Sequence, residues 1–182
     1  MTMDWEVDKV LGIFKKKISV CAPFDGRTMD MTEVRDPVFA QLMMGDGCAL
    51  IPASGDVLAP VSGRVELVAG TGHAICLKTE EGLELMIHYG IDTVKFAGKG
   101  FEVKAAVGQQ VRVGDLLCHA DMDFFKKQGV DLTSPILVLD SNQFAVVNKQ
   151  LGKDVTAGEP IFSVVRKEEG YSANIRIRAF HL

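Results

Sequence analysis

Two histidines, His73 and His88, lie within one short segment, TGHAICLKTEEGLELMIHYG. Imidazole titrates at about pH 6.5, so neighbouring rings can bind a metal ion or exchange protons. One ring can also attack phosphorus while the other donates a hydrogen bond to the phosphoryl oxygens. Two imidazoles make an incomplete zinc site, because no third ligand lies at a typical spacing. Ordinary core or solvated histidines are the remaining interpretation.

The segment is predicted to form an antiparallel hairpin with its turn centred on residues 80–81. In that register His73 pairs directly with His88, and directly paired side chains share one face with their β-carbons about 4.5–5.5 Å apart. A bulged turn with Gly82 in the left-handed conformation would instead pair His73 with Tyr89 and send the two rings to opposite faces. The residues alone leave both registers open.

The elements around this hairpin are predicted to be short strands from Val20 to Arg166, because apolar segments alternate there with glycine and proline turns. This texture is typical of an all-β antiparallel sandwich or flattened barrel. Two echoes support it: APFDGR (22–27) recurs as APVSGR (59–64), and GQQVRVGDLL (108–117) recurs as GKDVTAGEPI (152–161). We therefore expect two similar, pseudo-symmetric halves packed together.

Helical signals are few. DMDFFKKQGVD predicts a short helical turn, and residues 1–19 form an amphipathic segment with one apolar helical stripe, consisting of Val7, Val10, Leu11, Phe14 and Ile18. Two interpretations of this stripe stay open: a terminal helix that packs on the domain or is mobile, and an in-plane membrane anchor whose lysines contact anionic lipid. We predict three parts: 1–19, a domain over 20–166, and a tail over 167–182.

Length and composition exclude several classes of protein. A chain of 182 residues suits one domain, and a net charge of −4 without a basic stripe argues against nucleic-acid binding. The four cysteines form no C-x-x-C pair, which favours a reducing compartment. No apolar run approaches the roughly 18–20 residues of a membrane span, and no secretory signal pattern opens the chain. We expect a cytoplasmic protein, with peripheral contact at the inner membrane face if residues 1–19 are an anchor.

Nine motifs along residues 20–166 together resemble one known family. They are APFDG, DPVFAQ, GDGCALIP, APVSG, TGHA, IHYGIDTV, GKGF, GQQVRVGD and LTSPILV. In their order and intervals they closely resemble the glucose-type enzyme IIA component of the bacterial phosphoenolpyruvate-dependent sugar phosphotransferase system. One motif would be weak, but the ordered set is specific.

The resemblance implies a role for each residue of the histidine pair and its neighbours. His88 matches the histidine that carries a phosphoryl group, and His73 matches the histidine that supports it. Thr71 matches a hydroxyl that orients the second ring, and Gly90 lies where a backbone carbonyl holds the other nitrogen of the phosphorylated ring. Because the family's two rings are neighbours on one face, the resemblance favours the unbulged register.

The resemblance also implies a partner-binding surface around the rings. Asp36 and Asp92 match acidic residues that can pair with an arginine of a docking partner. For Asp92, capping of the following turn is a second interpretation. The apolar residues expected to surround the site and exclude water are Val38, Phe39, Met86 and Val94.

The function that the resemblance implies is that of a monomeric phosphocarrier and phosphotransferase component that requires no cofactor. It accepts phosphate from the phosphocarrier protein HPr and passes it to the cysteine of a IIB domain of a sugar permease, of glucose, N-acetylglucosamine or β-glucoside type. The alternative is a regulatory binding module, in which His73 and His88 bind zinc and a target protein's carboxylate completes the site. A lipoyl- or biotinyl-type carrier is disfavoured, because no lysine lies at a hairpin tip.

Overall fold

Strands dominate the computed structural model, which describes residues 16–167. The strands are Lys17–Cys21 (β1), Gly26–Met29 (β2), Asp46–Pro52 (β3), Asp56–Leu58 (β4), Gly63–Val68 (β5), Ala74–Lys78 (β6), Glu84–His88 (β7), Phe101–Val103 (β8), Gln110–Val111 (β9), Leu116–Ala120 (β10), Ser134–Val138 (β11), Phe144–Val147 (β12), Asp154–Val155 (β13) and Pro160–Arg166 (β14). The other regular elements are two short helices, Pro37–Ala40 (α1) and Met122–Lys127 (α2), and two 3₁₀ turns, Met31–Glu33 and Thr93–Phe96. The predicted all-β class and the helical turn after residue 121 are confirmed.

One eight-stranded antiparallel sheet contains most of the strands, in the order β13-β2-β3-β11-β7-β6-β5-β9. Two three-stranded sheets, β1-β14-β12 and β4-β10-β8, accompany it. At the centre of the large sheet, Ile87 of β7 pairs directly with Ile136 of β11. From this pair outward, the strands follow in the order β11-β3-β2-β13 on one side and β7-β6-β5-β9 on the other. The echoed segments 22–27 and 59–64 lead into the equivalent strands β2 and β5, so the sheet has two pseudo-symmetric halves.

The repeated motifs are the segments that build these two halves. Ala22 exchanges two backbone hydrogen bonds with residues 158–159, and Ala59 exchanges the corresponding two with residues 114–115. Each APxxG turn therefore binds the glycine turn of its own half, which explains why both motifs recur. The predicted pseudo-symmetry is confirmed at the level of individual hydrogen bonds.

The main core lies between the large sheet and the two small sheets. Leu50, Leu77 and Leu85 project into it from the large sheet, while Phe162 and Leu117 project from the two small ones, and all are fully buried. Because side chains alternate along a strand, neighbouring residues project to the other face of the large sheet. Burying that face as well requires a second cover.

The second cover is the segment from Met31 to Ala40. Met31, Val34 and Phe39 form a separate buried cluster with Ala49 of β3 and Leu137 of β11. Both faces of β11 are thereby buried, which accounts for the uninterrupted burial of that strand. This cover also brings Phe39 to the edge of the histidine site.

The β6–β7 hairpin has the bulged register, so the direct pairing of His73 with His88 was wrong. Ala74 pairs with His88, and the Tyr89 N–H donates to the His73 carbonyl at 2.8 Å. Gly82 has a φ of +85°, the left-handed conformation that such a turn needs and that glycine adopts without a steric penalty.

The predicted N-terminal helical stripe lies mostly outside the described residues. Its last member, Ile18, belongs to β1 and pairs with Val164, so that part of the helix prediction was wrong. The extended backbone there is stabilised by pairing with β14, a long-range contact that local periodicity does not reveal. No helix within residues 16–167 is long and apolar enough to cross a membrane.

We expect Gly63→Ala to lower the free energy of unfolding by roughly 2–4 kcal/mol. A β-carbon at Gly63 would lie 2.3 Å from the Lys78 carbonyl oxygen, so β5 and β6 would have to separate. Urea denaturation measures the loss. Gly70→Ala is the matched control, because a β-carbon there meets no atom within 4 Å, and a similar loss in both variants would contradict the steric explanation.

Candidate functional site

The two imidazole rings lie side by side at one end of the β6–β7 hairpin. Their centroids are 4.9 Å apart and their planes make an angle of 76°. His88 is the last residue of β7, whereas His73 precedes the first residue of β6 at a bend in the chain. Gly72 has a φ of +73° at this bend, so His73 lies outside the regular alternation of side chains along β6. The rings therefore meet despite the bulged register.

One hydrogen bond decides which nitrogen of His88 can react. His88 Nδ1 lies 2.9 Å from the carbonyl oxygen of Gly90. A carbonyl oxygen can only accept, so Nδ1 carries the proton and Nε2 keeps a free lone pair. The neutral ring is thus held in the tautomer in which Nε2 is the nucleophile.

Gly90 can present its carbonyl in this way because it has no side chain. Its φ is +73°, and a β-carbon would lie 2.6 Å from Cγ2 of the buried Thr93. Any other residue would be strained by the backbone conformation and would collide with Thr93. The turn after β7 therefore requires glycine at this position.

The second ring, His73, is oriented by the hydroxyl group of Thr71. Thr71 Oγ1 lies 2.5 Å from His73 Nδ1. A hydroxyl can donate or accept, so this contact orients the ring while permitting either tautomer. The resemblance assigned Thr71 and Gly90 to these two contacts, and both contacts are present.

Helix α1 places Phe39 and Asp36 beside His88. The Phe39 ring is buried, and its centroid lies 5.0 Å from that of His88 at an edge-on angle of 61°. Asp36 is the N-cap residue: its Oδ1 accepts the Val38 N–H at 2.8 Å, and Pro37 occupies the first turn. A four-residue helix is thus held by its cap and by the burial of Phe39.

Asp92 follows the turn at Gly90 and is exposed. It occupies the N-cap position of the 3₁₀ turn Thr93–Phe96 with a φ of +58°, but its side chain makes no capping hydrogen bond. The capping interpretation of Asp92 was therefore wrong. Aspartate tolerates the left-handed conformation better than most residues, and here its carboxylate is left exposed beside the site.

The protonation of the pair is governed mainly by burial. Burial lowers the pKa of His88 below its usual value, and the adjacent His73 lowers it further because two imidazolium charges repel. The hydrogen bond to Gly90 and the carboxylates of Asp36 and Asp92 act in the opposite direction. Burial also lowers the pKa of His73. Both rings are therefore predominantly neutral at pH 7, the state in which His88 Nε2 has a free lone pair.

Two of the apolar residues predicted around the site are exposed. Val38 and Val94, each two residues after an aspartate whose charge acts on His88, are 40% and 50% exposed. Of the other two predicted members, Phe39 is buried and Met86 is half-buried against the second cluster. The predicted rim is thus only partly accessible.

Three further exposed apolar residues, Leu42, Met43 and Met44, follow the C-cap residue of α1 and were not predicted as part of the site. Met43 is 70% exposed, and its N–H donates to the Val38 carbonyl. Three consecutive apolar residues before a glycine turn were the available signal, because such runs are seldom exposed without a function. We call the exposed set of Val38, Leu42, Met43, Met44 and Val94 the docking patch.

A metal centre is not formed by the described part of the chain. Within residues 16–167 no group of three or more His, Cys, Asp or Glu side chains could hold a metal ion. His119 does not join the pair, since its Nδ1 is 2.7 Å from Asp56 Oδ1 on the small β4-β10-β8 sheet. His73 and His88 could supply two zinc ligands at most, and the zinc hypothesis stays a prediction.

We expect both histidines to titrate below pH 6.5, and His73→Gln to raise the pKa of His88. The variant removes the like-charge repulsion but leaves the burial, so the pKa of His88 should rise relative to the native protein. Because burial penalises the charged imidazolium, the neutral form of His88 still predominates in the native protein when the pH falls to 6.5. NMR titration of the ring protons measures both values, and a higher pKa for His88 in the native protein than in the variant would contradict this account.

The comparisons with known proteins agree on one family. A profile of the family described as "phosphoenolpyruvate-dependent sugar phosphotransferase system, EIIA 1" matches residues 18–144. The glucose-specific EIIA component of Staphylococcus aureus is 41% identical over 145 residues, covering 80% of this chain and 87% of that protein. Its counterpart in Staphylococcus epidermidis is 39% identical over 144 residues, covering 79% and 87%.

A solved structure has the same fold. The glucose permease IIA from Mycoplasma capricolum matches with a TM-score of 0.78 and 35% sequence identity, covering 83% of this chain and 97% of that chain. The β-sandwich architecture is thus common to both. The chain belongs to the EIIA 1 family, the glucose-type phosphotransfer components of the phosphoenolpyruvate-dependent sugar phosphotransferase system.

Proposed function

We propose that the protein is a phosphocarrier in which His88 accepts a phosphoryl group from phosphorylated HPr and passes it to the cysteine of a sugar-specific IIB domain. The observation that carries this proposal is the hydrogen bond between His88 Nδ1 and the Gly90 carbonyl at 2.9 Å. It leaves Nε2 as the free nucleophile of a predominantly neutral ring, which lies beside helix α1 with its exposed Val38.

Two displacements at phosphorus make up the reaction. In the first, the lone pair of His88 Nε2 forms a bond to phosphorus as the N–P bond of the donor histidine breaks, and the donor ring keeps the electron pair. In the second, a thiolate of the IIB domain forms an S–P bond as the Nε2–P bond breaks and the pair returns to Nε2. His88 keeps its Nδ1 proton throughout, so neither step requires proton transfer at this ring.

His73 stabilises the charge on the transferred group. If Thr71 donates its hydroxyl proton to His73 Nδ1, the proton of that ring lies on Nε2 and can be donated to a phosphoryl oxygen beside His88. The transition state of phosphoryl transfer is loose and spreads charge over those oxygens, so positioning and hydrogen bonding contribute most of the catalysis. His73 is thus proposed to matter most when the group leaves His88.

The docking patch supplies the binding surface for both partners in turn. Exposed valine, leucine and methionine side chains gain free energy when a partner removes them from water, and the closed interface excludes water from the phosphoryl group. Asp36 and Asp92 give this surface negative charge next to His88. A partner with a basic rim around an apolar centre therefore fits it.

We expect His88→Ala to abolish phosphorylation by phosphoenolpyruvate, enzyme I and HPr, because it removes the nucleophile. His73→Gln should still accept one phosphoryl group but transfer it to a IIB domain at least roughly a hundredfold more slowly, as expected when a flexible amide replaces the imidazole that Thr71 orients toward the developing charge. Labelled phosphate in an acid-labile, base-stable linkage measures the first step, and loss of that label to the IIB domain measures the second.

His119→Gln is the matched control, because it changes a histidine that pairs with Asp56 outside the site. It should retain both transfers. Normal onward transfer by His73→Gln would remove the role given to His73, and phosphorylation of His88→Ala would overturn the proposal for His88.

We expect Asp92→Asn to lower kcat/KM for phosphorylated HPr roughly three- to tenfold at low salt, with a smaller loss at high salt. The exposed carboxylate attracts a basic partner, and salt screens that attraction over about 10 Å. Stopped-flow transfer rates at two salt concentrations measure the effect. Asp123→Asn on α2 makes the same charge change outside the docking patch, so an equal loss there would show that Asp92 has no specific part.

A further inference from the structure

A buried serine, Ser134 of β11, holds the residue that orients His88. Its Oγ accepts the Gly90 N–H at 2.9 Å and donates its own proton to the Leu132 carbonyl at 2.7 Å. The side chain has no exposed surface. Donation to Leu132 directs a lone pair of the hydroxyl at Gly90, so the serine links the loop before β11 to the turn after β7.

The serine acts where the regular sheet ends. The ladder between β7 and β11 stops at the pair of Ile87 and Ile136, two residues short of Ser134. Beyond this pair, no further β7–β11 pairing holds the backbone of the turn after β7. The hydroxyl of Ser134 supplies the missing acceptor for the Gly90 N–H, a group that is costly to leave unpaired when buried.

The peptide that carries the Gly90 carbonyl is held from its other end as well. The Ile91 N–H, which lies in the same peptide plane as that carbonyl, donates to the Asp131 carbonyl at 2.7 Å. The residue before Gly90 is held too, since Thr93 Oγ1 donates to the Tyr89 carbonyl at 2.7 Å. Of these three hydrogen bonds, only the one from the Gly90 N–H to Ser134 joins a side chain to Gly90 itself.

We infer that Ser134 is a positioning residue for the nucleophile: by holding Gly90, it keeps the carbonyl aligned with His88 Nδ1 and so keeps the reactive lone pair on Nε2. The structural chain is Ser134 Oγ to Gly90 N, then Gly90 O to His88 Nδ1, with both bonds at 2.9 Å. The kinetic consequence of this inference rests on the function proposed above. The effect on the tautomer does not.

The first test measures the tautomer of His88 in the unphosphorylated protein. At about pH 8 both rings are neutral, and ¹⁵N NMR of the ring distinguishes a protonated Nδ1 from a protonated Nε2. We expect one tautomer, Nδ1–H, in the native protein. Ser134→Ala should shift a measurable fraction to Nε2–H, and Ser134→Thr, which retains the hydroxyl, should restore the native spectrum.

The second test measures phosphorylation of His88 by phosphorylated HPr. Ser134→Ala should lower the rate constant roughly tenfold, the change expected when one buried hydrogen bond that orients the reacting group is lost. Ser134→Thr should recover most of the rate. A large change in kcat with little change in KM is expected, because the serine lies beneath the site and away from the docking patch.

Thr28→Val is the matched control for a purely structural effect. Thr28 is buried like Ser134, and its hydroxyl likewise bridges two backbone groups, donating to the Lys153 carbonyl and accepting the Lys153 N–H at 3.0 Å. It lies on β2, outside the site. This variant should lose stability in urea denaturation while leaving the His88 tautomer and the transfer rate unchanged.

Two results would overturn the inference. One is a native His88 spectrum in Ser134→Ala, and the other is an equal loss of transfer rate in Thr28→Val. If the native protein accepts no phosphoryl group, the proposed function fails instead, and the tautomer measurement still decides the role of Ser134.

Discussion

The hydrogen bond from His88 Nδ1 to the Gly90 carbonyl is the interaction on which the proposed chemistry of this protein depends. An imidazole free to exchange tautomers presents its lone pair on either nitrogen, whereas this contact fixes the lone pair on Nε2. A backbone carbonyl is suited to this choice because it cannot donate a proton. The 2.9 Å contact requires a glycine with a left-handed backbone after β7, because the methyl group of Thr93 occupies the space that a β-carbon would need.

Pseudo-symmetry places the site at the centre of the large sheet. The two halves meet at Ile87 and Ile136, and His88 follows Ile87 directly in the chain. The central strand β11 has neighbours on both sides, and both of its faces are covered, by the main core and by the segment from Met31 to Ala40. The two halves differ in their side chains: the β6–β7 hairpin has two imidazoles at its end, whereas the matching strands β3 and β11 contain no histidine.

Burial at the site has two effects that oppose each other. It lowers the pKa of both histidines, which keeps them neutral and nucleophilic, and it limits access to His88. The proposed docking of a partner would resolve this conflict, because the apolar side chains of the docking patch are exposed and a partner would cover them. Membership of the EIIA 1 family fits this arrangement, since a component of a phosphotransfer chain must expose its reactive group to other proteins and shield it during transfer.

The sequence by itself determined the all-β class, the paired turn motifs, the short helix after residue 121 and the two histidines, because glycine and proline turns and alternating apolar residues are local signals. Tertiary structure decided the register of the β6–β7 hairpin, since Gly82 permits a bulge that no neighbouring residue specifies. It also decided that the rings meet, through the bend at Gly72, and that Ile18 is in a strand, through pairing with β14. The contact of Ser134 with Gly90 joins residues far apart in the chain, and only folding brings them together.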